Sequence, residues 1–349
     1  MSSISASAAR DDQARETALL AWLKGHARKH GLQIDTLRLA SDDASFRRYF
    51  RVDAKNGPPS RIVMDAPPQN ENCEPFLHAA AEFSRAGMKV PAILEADLAQ
   101  GFLLLDDFGD TTYLQALTKQ SAETLYAQAS GALVAIQSAS RPGVFPLYDR
   151  QMLLRELMLY PDWYVALHKG CELSDQERDL LFSGFDVLLA NKLAQPRVFV
   201  HRDYHSRNLM LLPGEANPGV LDFQDAVYGP ITYDLVSLLR DAYIQWPEEQ
   251  VLDWTIRHWE RARSAGLPVA DNFADFWRDF EWMGLQRHLK VLGIFARLFH
   301  RDGKDRYLAN LPLVYEYAIG VASRYNALAA LARVLERVEQ RTRTAGYTF

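Results

Sequence analysis

The chain contains little lysine, little cysteine and no long apolar run. Nine of its 39 lysine and arginine residues are lysine, so 30 are arginine, and the formal net charge is −5. This mildly acidic balance argues against a nucleic-acid-binding protein, which usually presents a basic face. The two cysteines, Cys73 and Cys171, lie far apart without a CxxC spacing. We therefore expect reduced thiols rather than a disulfide framework or a zinc site.

The absence of long apolar runs bears on localisation. No segment approaches the ~20 apolar residues that a membrane helix needs, and the first 16 residues lack the apolar core of a signal peptide. We expect a cytoplasmic protein with no membrane partner. Hydrophobic residues make up 48% and charged residues 24%, as in globular proteins. The length of 349 residues predicts about two domains.

The residue pattern divides the chain into a β-rich start and a mainly helical remainder. The first part predicts a helix and a hairpin, then a further helix and two more strands; these elements span 13–30, 46–64, 75–86, 90–95 and 102–105. A β-rich block at 197–223 interrupts the later helices. Those helices span about 111–117, 121–139, 150–168, 175–194, 233–245, 247–265, 272–299, 306–322 and 325–342.

This pattern predicts an α+β protein with a small β-rich lobe at 1–105 and a larger, mainly helical lobe at 106–349. Ser174 and Glu177 have the spacing of a capping box at the start of the helix over 175–194. We expect a ligand to bind between the lobes, because ligand sites often occur at domain interfaces.

The residues that indicate a chemistry lie between Val198 and Asp225. An apolar strand leads into a polar loop that contains Asp203 and Asn208, and a later strand ends on Asp222. Phosphoryl transfer to a hydroxyl needs a carboxylate to accept the proton, and it needs Asn and Asp oxygens to hold Mg²⁺ on the nucleotide phosphates. The spacing predicts Asp203 as the base, and Asn208 and Asp222 as the metal ligands. The alternative is a buried loop whose Asp and Asn side chains satisfy backbone donors.

At these residues the sequence resembles the aminoglycoside phosphotransferase and choline kinase family, relatives of the protein kinases. The matching segments are His201–Asn208, Val220–Gln224, Tyr233–Leu235 and Phe102–Gly109. The resemblance implies a bilobal protein-kinase-like fold, ATP and Mg²⁺ as cofactors, and a brace on the catalytic loop from Asp234. It also implies that the backbone of Leu104, Leu105, Asp106 and Asp107 receives adenine.

Further segments narrow the resemblance within that family. Asp43–Phe50, Val63–Pro68 and Leu221–Pro230 are similar to bacterial kinases that phosphorylate the anomeric hydroxyl of N-acetylmuramate and N-acetylglucosamine in peptidoglycan recycling. The resemblance implies the same reaction here, with a small amino sugar as substrate and no nucleic-acid partner. The sequence does not indicate an oligomeric state. Two alternatives stay open: a kinase of another hydroxyl, such as that of an aminoglycoside or choline, and a non-catalytic pseudokinase.

The chain departs from the family pattern where phosphates are usually bound. Ser41–Phe46, at the position of the phosphate-binding loop, has no glycine, and the third strand, Ile62–Asp65, has no lysine. We expect Arg47 or Arg48 to supply the missing cation, since an arginine fork suits phosphate geometry. In the family pattern Glu74 would be the partner of that cation. The alternative is that both are ordinary exposed strand arginines.

The sequence says less about the acceptor pocket. Asp225 and Tyr243 are candidate sugar contacts, and the lactyl carboxylate of N-acetylmuramate would require a cation. The helices offer several basic residues for that role, and the sequence does not choose among them. They are Arg240, Arg287, His288, Lys290 and Arg297.

Overall fold

The computed structural model describes residues 2–42, 46–55, 57–214 and 217–345. Residues 43–45 of the expected phosphate-binding loop and residue 56 of the predicted hairpin turn lie outside the described residues. The chain forms two compact units. The first, here called the N-terminal unit, comprises Met1–Arg85, Lys89–Asp110 and Gly219–Gln224. The second, the helical unit, comprises Ala86–Met88, Thr111–Pro218 and Asp225–Phe349.

The N-terminal unit is built on a five-stranded antiparallel sheet, which confirms the predicted β-rich part. The strand order is β1-β2-β3-β5-β4. Helix α1 packs on the sheet through Leu19 and Leu23, which lie in one buried cluster with Val52, Val63 and Phe102. The elements are α1 Ser2–His30, β1 Leu32–Asp42, β2 Arg48–Ala54, β3 Ser60–Asp65, α2 Glu74–Arg85, β4 Ile93–Asp97 and β5 Phe102–Asp106.

The turn between β4 and β5 requires a glycine. Gly101 has a φ of +71°, and a Cβ there would lie 1.9 Å from the carbonyl oxygen of Ala66. The Gly101 carbonyl also accepts a hydrogen bond from the Ala66 N–H at 2.9 Å. A residue with a side chain would therefore be excluded by conformation and by space.

The helical unit carries the remaining helices and most of the β-rich block, so the predicted α+β class is confirmed. The capping box at Ser174 is formed as expected. The elements of this unit are α3 Tyr113–Ala116, α4 Ala122–Ser138, α5 Arg150–Leu157, a π-helix Tyr160–His168, α6 Asp175–Ala194, β6 Arg197–Val200, β7 Leu209–Met210, β9 Val227–Pro230, α7 Tyr233–Leu239, α8 Glu248–Ser264, α9 Phe273–Asp302, α10 Leu311–Arg324 and α11 Ala329–Ala345. Short 3₁₀ segments precede α10 and α11, and the strand β8, Gly219–Val220, belongs to the N-terminal unit.

Several predicted boundaries are wrong. The first helix begins at Ser2 rather than at residue 13, and the helix predicted over 150–168 is α5 followed by a π-helix. Pro161 lies in the first turn of that π-helix, where its missing N–H interrupts an α-helical ladder. The helix predicted over 233–245 ends at Leu239, because Arg240 leaves the helical conformation with a ψ of 47°.

Helix α9, with 30 residues, is the longest element of the helical unit. Gly293 lets it approach the chain before the π-helix, since a Cβ at that position would lie 2.3 Å from the carbonyl carbon of Leu159. The helix thereby brings Arg287 and Lys290 into the interior, where both are buried. In the described part of the chain, no helix has the length and apolar character needed to span a membrane.

Candidate active site

Buried strand β6 leads directly into the loop 201–208, and a carboxylate from α7 holds the start of this loop. Asp234 is fully buried. Its two oxygens accept hydrogen bonds from the backbone N–H groups of His201 at 2.6 Å and Arg202 at 2.9 Å. Burial raises the pKa of Asp234 to about 7, although the two backbone donors oppose this rise. The position of Asp234 is that expected of a brace.

A second carboxylate, Asp241, holds the middle of the same loop. One of its oxygens accepts hydrogen bonds from the backbone N–H of Ser206 at 2.9 Å and from the Ser206 hydroxyl. Its other oxygen accepts the Tyr243 N–H at 3.0 Å. The sequence reasoning missed Asp241. A signal was present, because in the helix predicted over 233–245 Asp241 follows Asp234 by seven residues, about two helical turns.

Asp203 lies between these two anchors and is surrounded by cations. Its side chain is 38% exposed, and the Arg287 Nη1 lies 3.8 Å from its Oδ1. Burial alone would raise the pKa of Asp203, but Lys290 and Arg287 outweigh that effect and hold the pKa well below its usual value. The Asp203 carboxylate is therefore ionised and able to accept a proton at neutral pH.

Lys290, one of the cations beside Asp203, is fixed by a buried carboxylate, Glu156, from α5. Glu156 forms ion pairs with Lys290 at 2.9 Å and with Arg202, and it accepts the hydroxyl of Tyr148. Arg287 donates from Nη1 to the carbonyl oxygen of Arg202 at 2.8 Å. Arg202 is thus held through both its side chain and its backbone. This agrees with its φ of +79°, a conformation that a non-glycine residue adopts only under constraint.

Asn208 closes the loop. Its Nδ2 donates to the Asp203 carbonyl at 3.0 Å, and its backbone N–H donates to the His205 carbonyl at 2.9 Å. The side-chain amide oxygen of Asn208 therefore points away from the Asp203 carbonyl. His201 is fully buried and its Nδ1 accepts the Asp203 N–H at 3.2 Å, which is a structural arrangement rather than that of a proton carrier.

Two of the expected acceptor residues lie beside this loop. Tyr243 packs under the guanidinium of Arg207 at 4.8 Å and against the His205 ring at 5.6 Å. Asp225 is exposed, and its carbonyl accepts a long hydrogen bond of 3.4 Å from Arg202.

Asp222 belongs to the N-terminal unit. It is exposed, with a φ of +63°, and its Oδ1 accepts from Gln224 Nε2 at 2.8 Å. The next residue, Phe223, is fully buried and packs on Phe76 of α2 with ring centroids 4.8 Å apart. Among the described residues, the two non-glycine residues with a positive φ are Arg202 and Asp222, so backbone strain occurs in both predicted motifs.

Arg47 and Arg48 contact different carboxylates. Arg48 lies opposite Asp65 in the β2–β3 register and donates to its Oδ2 at 2.6 and 3.0 Å. Arg15 of α1 donates to the other oxygen of the fully buried Asp65 at 2.8 Å. Arg47 pairs with Glu71 at 3.1 Å rather than with the expected Glu74, which is exposed. The strand that lacks the lysine therefore ends on a carboxylate that binds two arginines.

The segment expected to receive adenine is largely inside the sheet. Leu104 and Leu105 are buried in β5 and pair with β3 on one side and β4 on the other. The Asp106 N–H donates to the Ala92 carbonyl at 3.0 Å. The chain leaves the sheet at Asp107, whose carboxylate accepts from Arg51 at 2.5 and 3.0 Å and from Ser60 at 2.6 Å.

Residues 36–270 match the model of the phosphotransferase enzyme family. The chain belongs to this family. An N-acetylmuramate/N-acetylglucosamine kinase of Neisseria meningitidis is 51% identical over 90% of this chain and 94% of its own length. A protein of the same name from Pseudomonas aeruginosa is 50% identical over 86% of this chain and 88% of its own.

Solved structures of the phosphotransferase family share the fold. A choline kinase of Streptococcus pneumoniae has a TM-score of 0.60 at 12% identity and covers 86% of this chain and 98% of its own. An ADP-bound aminoglycoside phosphotransferase has a TM-score of 0.56 at 13% identity, with coverages of 84% and 97%. These likenesses confirm the expected protein-kinase-like fold. Family membership also shows that the chain is a kinase that uses ATP to phosphorylate a hydroxyl group of a small molecule.

The family implies a divalent metal, and the donors present fit one. In the described part of the chain, no group of three or more His, Cys, Asp and Glu side chains could hold a metal ion. A magnesium ion carried by nucleotide phosphates needs only one or two protein oxygens, because phosphates and waters complete its shell. An Asn amide oxygen and an exposed Asp carboxylate are donors of that kind.

Proposed function

We propose that this protein is an ATP-dependent sugar kinase that phosphorylates the anomeric hydroxyl of N-acetylmuramate and N-acetylglucosamine. The observation that carries the proposal is the identity of 51% and 50%, over 90% and 86% of the chain, to two kinases of that name. The reaction would return amino sugars recovered from peptidoglycan to metabolism. We place it in the cytoplasm, where ATP is available.

In the proposed mechanism Asp203 is the base. It accepts the proton of the anomeric hydroxyl while the sugar oxygen attacks the γ-phosphorus and ADP leaves. Two features of the helical unit support this role. The cations Lys290 and Arg287 keep the carboxylate ionised, and Asp234 and Asp241 fix the loop before substrate arrives. Such preorganisation lowers the barrier because no rearrangement is needed during the reaction.

Mg²⁺ would be held by the oxygens of Asn208 and Asp222. When bound, the ion neutralises charge on the nucleotide phosphates. The hydrogen bond from Asn208 Nδ2 to the Asp203 carbonyl supports this role, because it fixes the plane of the amide whose oxygen is the proposed ligand.

For the nucleotide, we propose that Arg48 binds phosphates while its guanidinium stays paired with Asp65. We propose that Arg47 has a structural role, in its ion pair with Glu71. Arg48 is 37% exposed and Arg47 is 14% exposed, so Arg48 has the greater reach toward a ligand. Adenine would be received where the chain leaves β5, from Asp106 and Asp107 onward, with Leu104 and Leu105 forming the strand beneath. For the acceptor, Asp225 and Tyr243 stay proposed contacts.

The test is turnover of ATP with each amino sugar, followed by phosphorus NMR of the product. We expect a sugar 1-phosphate from N-acetylmuramate and from N-acetylglucosamine. Choline and an aminoglycoside serve as control acceptors and should give no product above background. A phosphate on any other hydroxyl, or turnover only with a control acceptor, would show that the proposed substrate is wrong.

A further inference from the structure

The helical unit contains a cavity of about 500 Å³ that the proposed mechanism does not yet use. It lies among the segment that joins α7 to α8, the first half of α9, and α10. Its volume falls in the range of small-molecule sites, about 300–1,000 Å³. The lining combines the aromatic side chains of Trp246 and Tyr317 with two arginines and three glutamates: Arg240, Arg324, Glu248, Glu281 and Glu316.

Arg240 is the charged group of this cavity whose pairing is incomplete. Its side chain is 12% exposed, and its ion contact with Glu248 is long, at 3.5 Å. Within the described residues, the guanidinium donates no hydrogen bond. Glu248 is half-exposed and lies closer to Arg324, at 2.7 Å. A guanidinium has five N–H donors, and those of Arg240 face the cavity, where no described protein atom accepts a hydrogen bond from them. A ligand with an acceptor fork could therefore use them.

The position of Arg240 is nevertheless fixed. Its guanidinium stacks over the ring of Tyr317 at 5.3 Å, and its backbone carbonyl contacts the Nε2 of His288 at 3.0 Å. Stacking leaves the edge of the guanidinium available, and that edge matches a carboxylate through two parallel hydrogen bonds. Arg240 therefore presents a fixed donor edge to a carboxylate.

Three other basic residues of these helices are already engaged. Arg287 donates to the Arg202 carbonyl, and Lys290 pairs with Glu156 and donates to the Tyr233 hydroxyl at 3.0 Å. Arg324 lines the same cavity, but it forms ion pairs with both Glu248 and Glu281. Of the set among which the sequence does not choose, Arg240 is the member that lines this cavity.

The cavity wall is connected to the catalytic loop at two points. Arg240 is followed by Asp241, which accepts the Ser206 N–H, and His288 follows Arg287, which lies 3.8 Å from Asp203. The cavity wall and the groups that hold the proposed base are therefore carried by the same two segments of the chain.

We propose that this cavity receives the acceptor sugar, and that Arg240 binds the lactyl carboxylate that N-acetylmuramate has and N-acetylglucosamine lacks. The inference rests on the proposed sugar-kinase function and adds a residue that distinguishes its two substrates. Trp246 and Tyr317 would contact the apolar face of the sugar ring, as aromatic side chains do when one side of a ligand is apolar.

The experiment compares both sugars in the Arg240→Gln protein. A charge-assisted pair lost from a largely buried site lowers affinity by roughly ten- to a hundredfold. We expect the KM for N-acetylmuramate to rise by that factor, whereas the KM for N-acetylglucosamine stays within about twofold. Arg240→Lys keeps the charge without the fork and should give an intermediate KM. Arg324→Gln is the matched control in the same cavity, and it should treat the two sugars alike.

Calorimetry of each sugar with each variant, without ATP, separates this inference from the proposed function. If the wild-type protein phosphorylates both sugars and Arg240→Gln leaves them unchanged, or weakens both equally, the inference is wrong and the function stands. If the wild-type protein phosphorylates neither sugar but binds N-acetylmuramate through Arg240, the function is wrong and the inference stands.

Discussion

The catalytic loop and the arginine pair on Asp65 hold their charged groups in different ways. In the loop, buried carboxylates accept backbone N–H groups, as Asp234 does from His201 and Arg202. On the sheet, a buried carboxylate accepts side-chain N–H groups, as Asp65 does from Arg48 and Arg15. A backbone anchor fixes one loop geometry, whereas side-chain pairs can be rebuilt with other cations. This difference agrees with a loop that has the family motif and a sheet whose third strand lacks the lysine of the family pattern.

The largest expected effect comes from the loop itself. Asp203→Asn removes the proposed base while keeping the shape of the side chain. General base catalysis contributes about 10²- to 10⁴-fold, so we expect kcat to fall by that factor and the Kd of a non-hydrolysable ATP analogue to change little. Initial rates and calorimetry give the two values. Turnover that survives in this variant would remove Asp203 from the base role and favour a different account of the loop.

The cation beside the base should have the next largest effect. In Arg287→Gln, Asp203 loses a partner that lowers its pKa, so the pKa rises and the carboxylate is protonated at higher pH. We expect kcat to fall about tenfold or more and the acid limb of its pH profile to move upward. Arg287→Lys should restore part of both.

A purely structural role for Arg287 would leave the acid limb in place. Arg257→Gln is the control for this variant, because Arg257 forms an exposed pair with Glu123 and such pairs contribute little. Equal losses in Arg287→Gln and Arg287→Lys, without a shift of the pH profile, would contradict the electrostatic role.

On the sheet, replacing Arg47 and Arg48 one at a time tests which of them binds the nucleotide phosphates. Arg48→Ala should raise the KM for ATP by about tenfold, the effect of a lost charge-assisted hydrogen bond, because its guanidinium is the more exposed of the two. Arg47→Ala should change the KM less, since Arg47 is held by Glu71. Arg38→Ala is the control from the same sheet, where Arg38 forms an exposed pair with Asp53. If neither Arg47 nor Arg48 affects KM or turnover, the phosphates are bound by another cation.

Local patterns predicted the elements whose causes are local. Helix α6 spans Asp175–Ala194 as expected, because Ser174 and Glu177 form its capping box, and its buried positions repeat with helical spacing. The apolar strand and the polar loop that contains Asp203 could also be predicted from local sequence. Pro161 indicates an interruption after α5, but the apolar pattern over 150–168 favours one continuous helix, and the prediction followed that pattern.

Contacts between distant segments could not be predicted. Glu156 meets Arg202 across 46 residues, and Arg287 meets the Arg202 carbonyl across 85. No spacing rule connects such pairs, because they meet only when α5 and α9 pack on the loop. The same holds for Asp65, whose partner Arg15 lies 50 residues away on α1.

The smallest expected effect is a difference in the pH dependence of stability between two carboxylates, one in each unit. Burial raises the pKa of Asp234 to about 7, so between about pH 4 and pH 7 the folded state holds a proton that the unfolded state releases. The contribution of Asp234 to the free energy of unfolding therefore falls as the pH rises from about 4 to 7. Asp234→Asn lacks this dependence.

The pKa of Asp107, in the N-terminal unit, is shifted in the opposite direction. Burial alone would raise its pKa, but Arg51, Ser60 and the Gly109 N–H hold it below its usual value. Its contribution is therefore complete above about pH 4 and is lost only in more acid solution. Thermal melting from pH 4 to pH 8 measures how the contribution of each carboxylate to stability depends on pH. The Tm difference between wild type and Asp234→Asn should shrink toward pH 7 by a few degrees, while the difference for Asp107→Asn stays constant. A constant difference for both variants would mean that Asp234 is ionised throughout, held by its two backbone donors despite its burial.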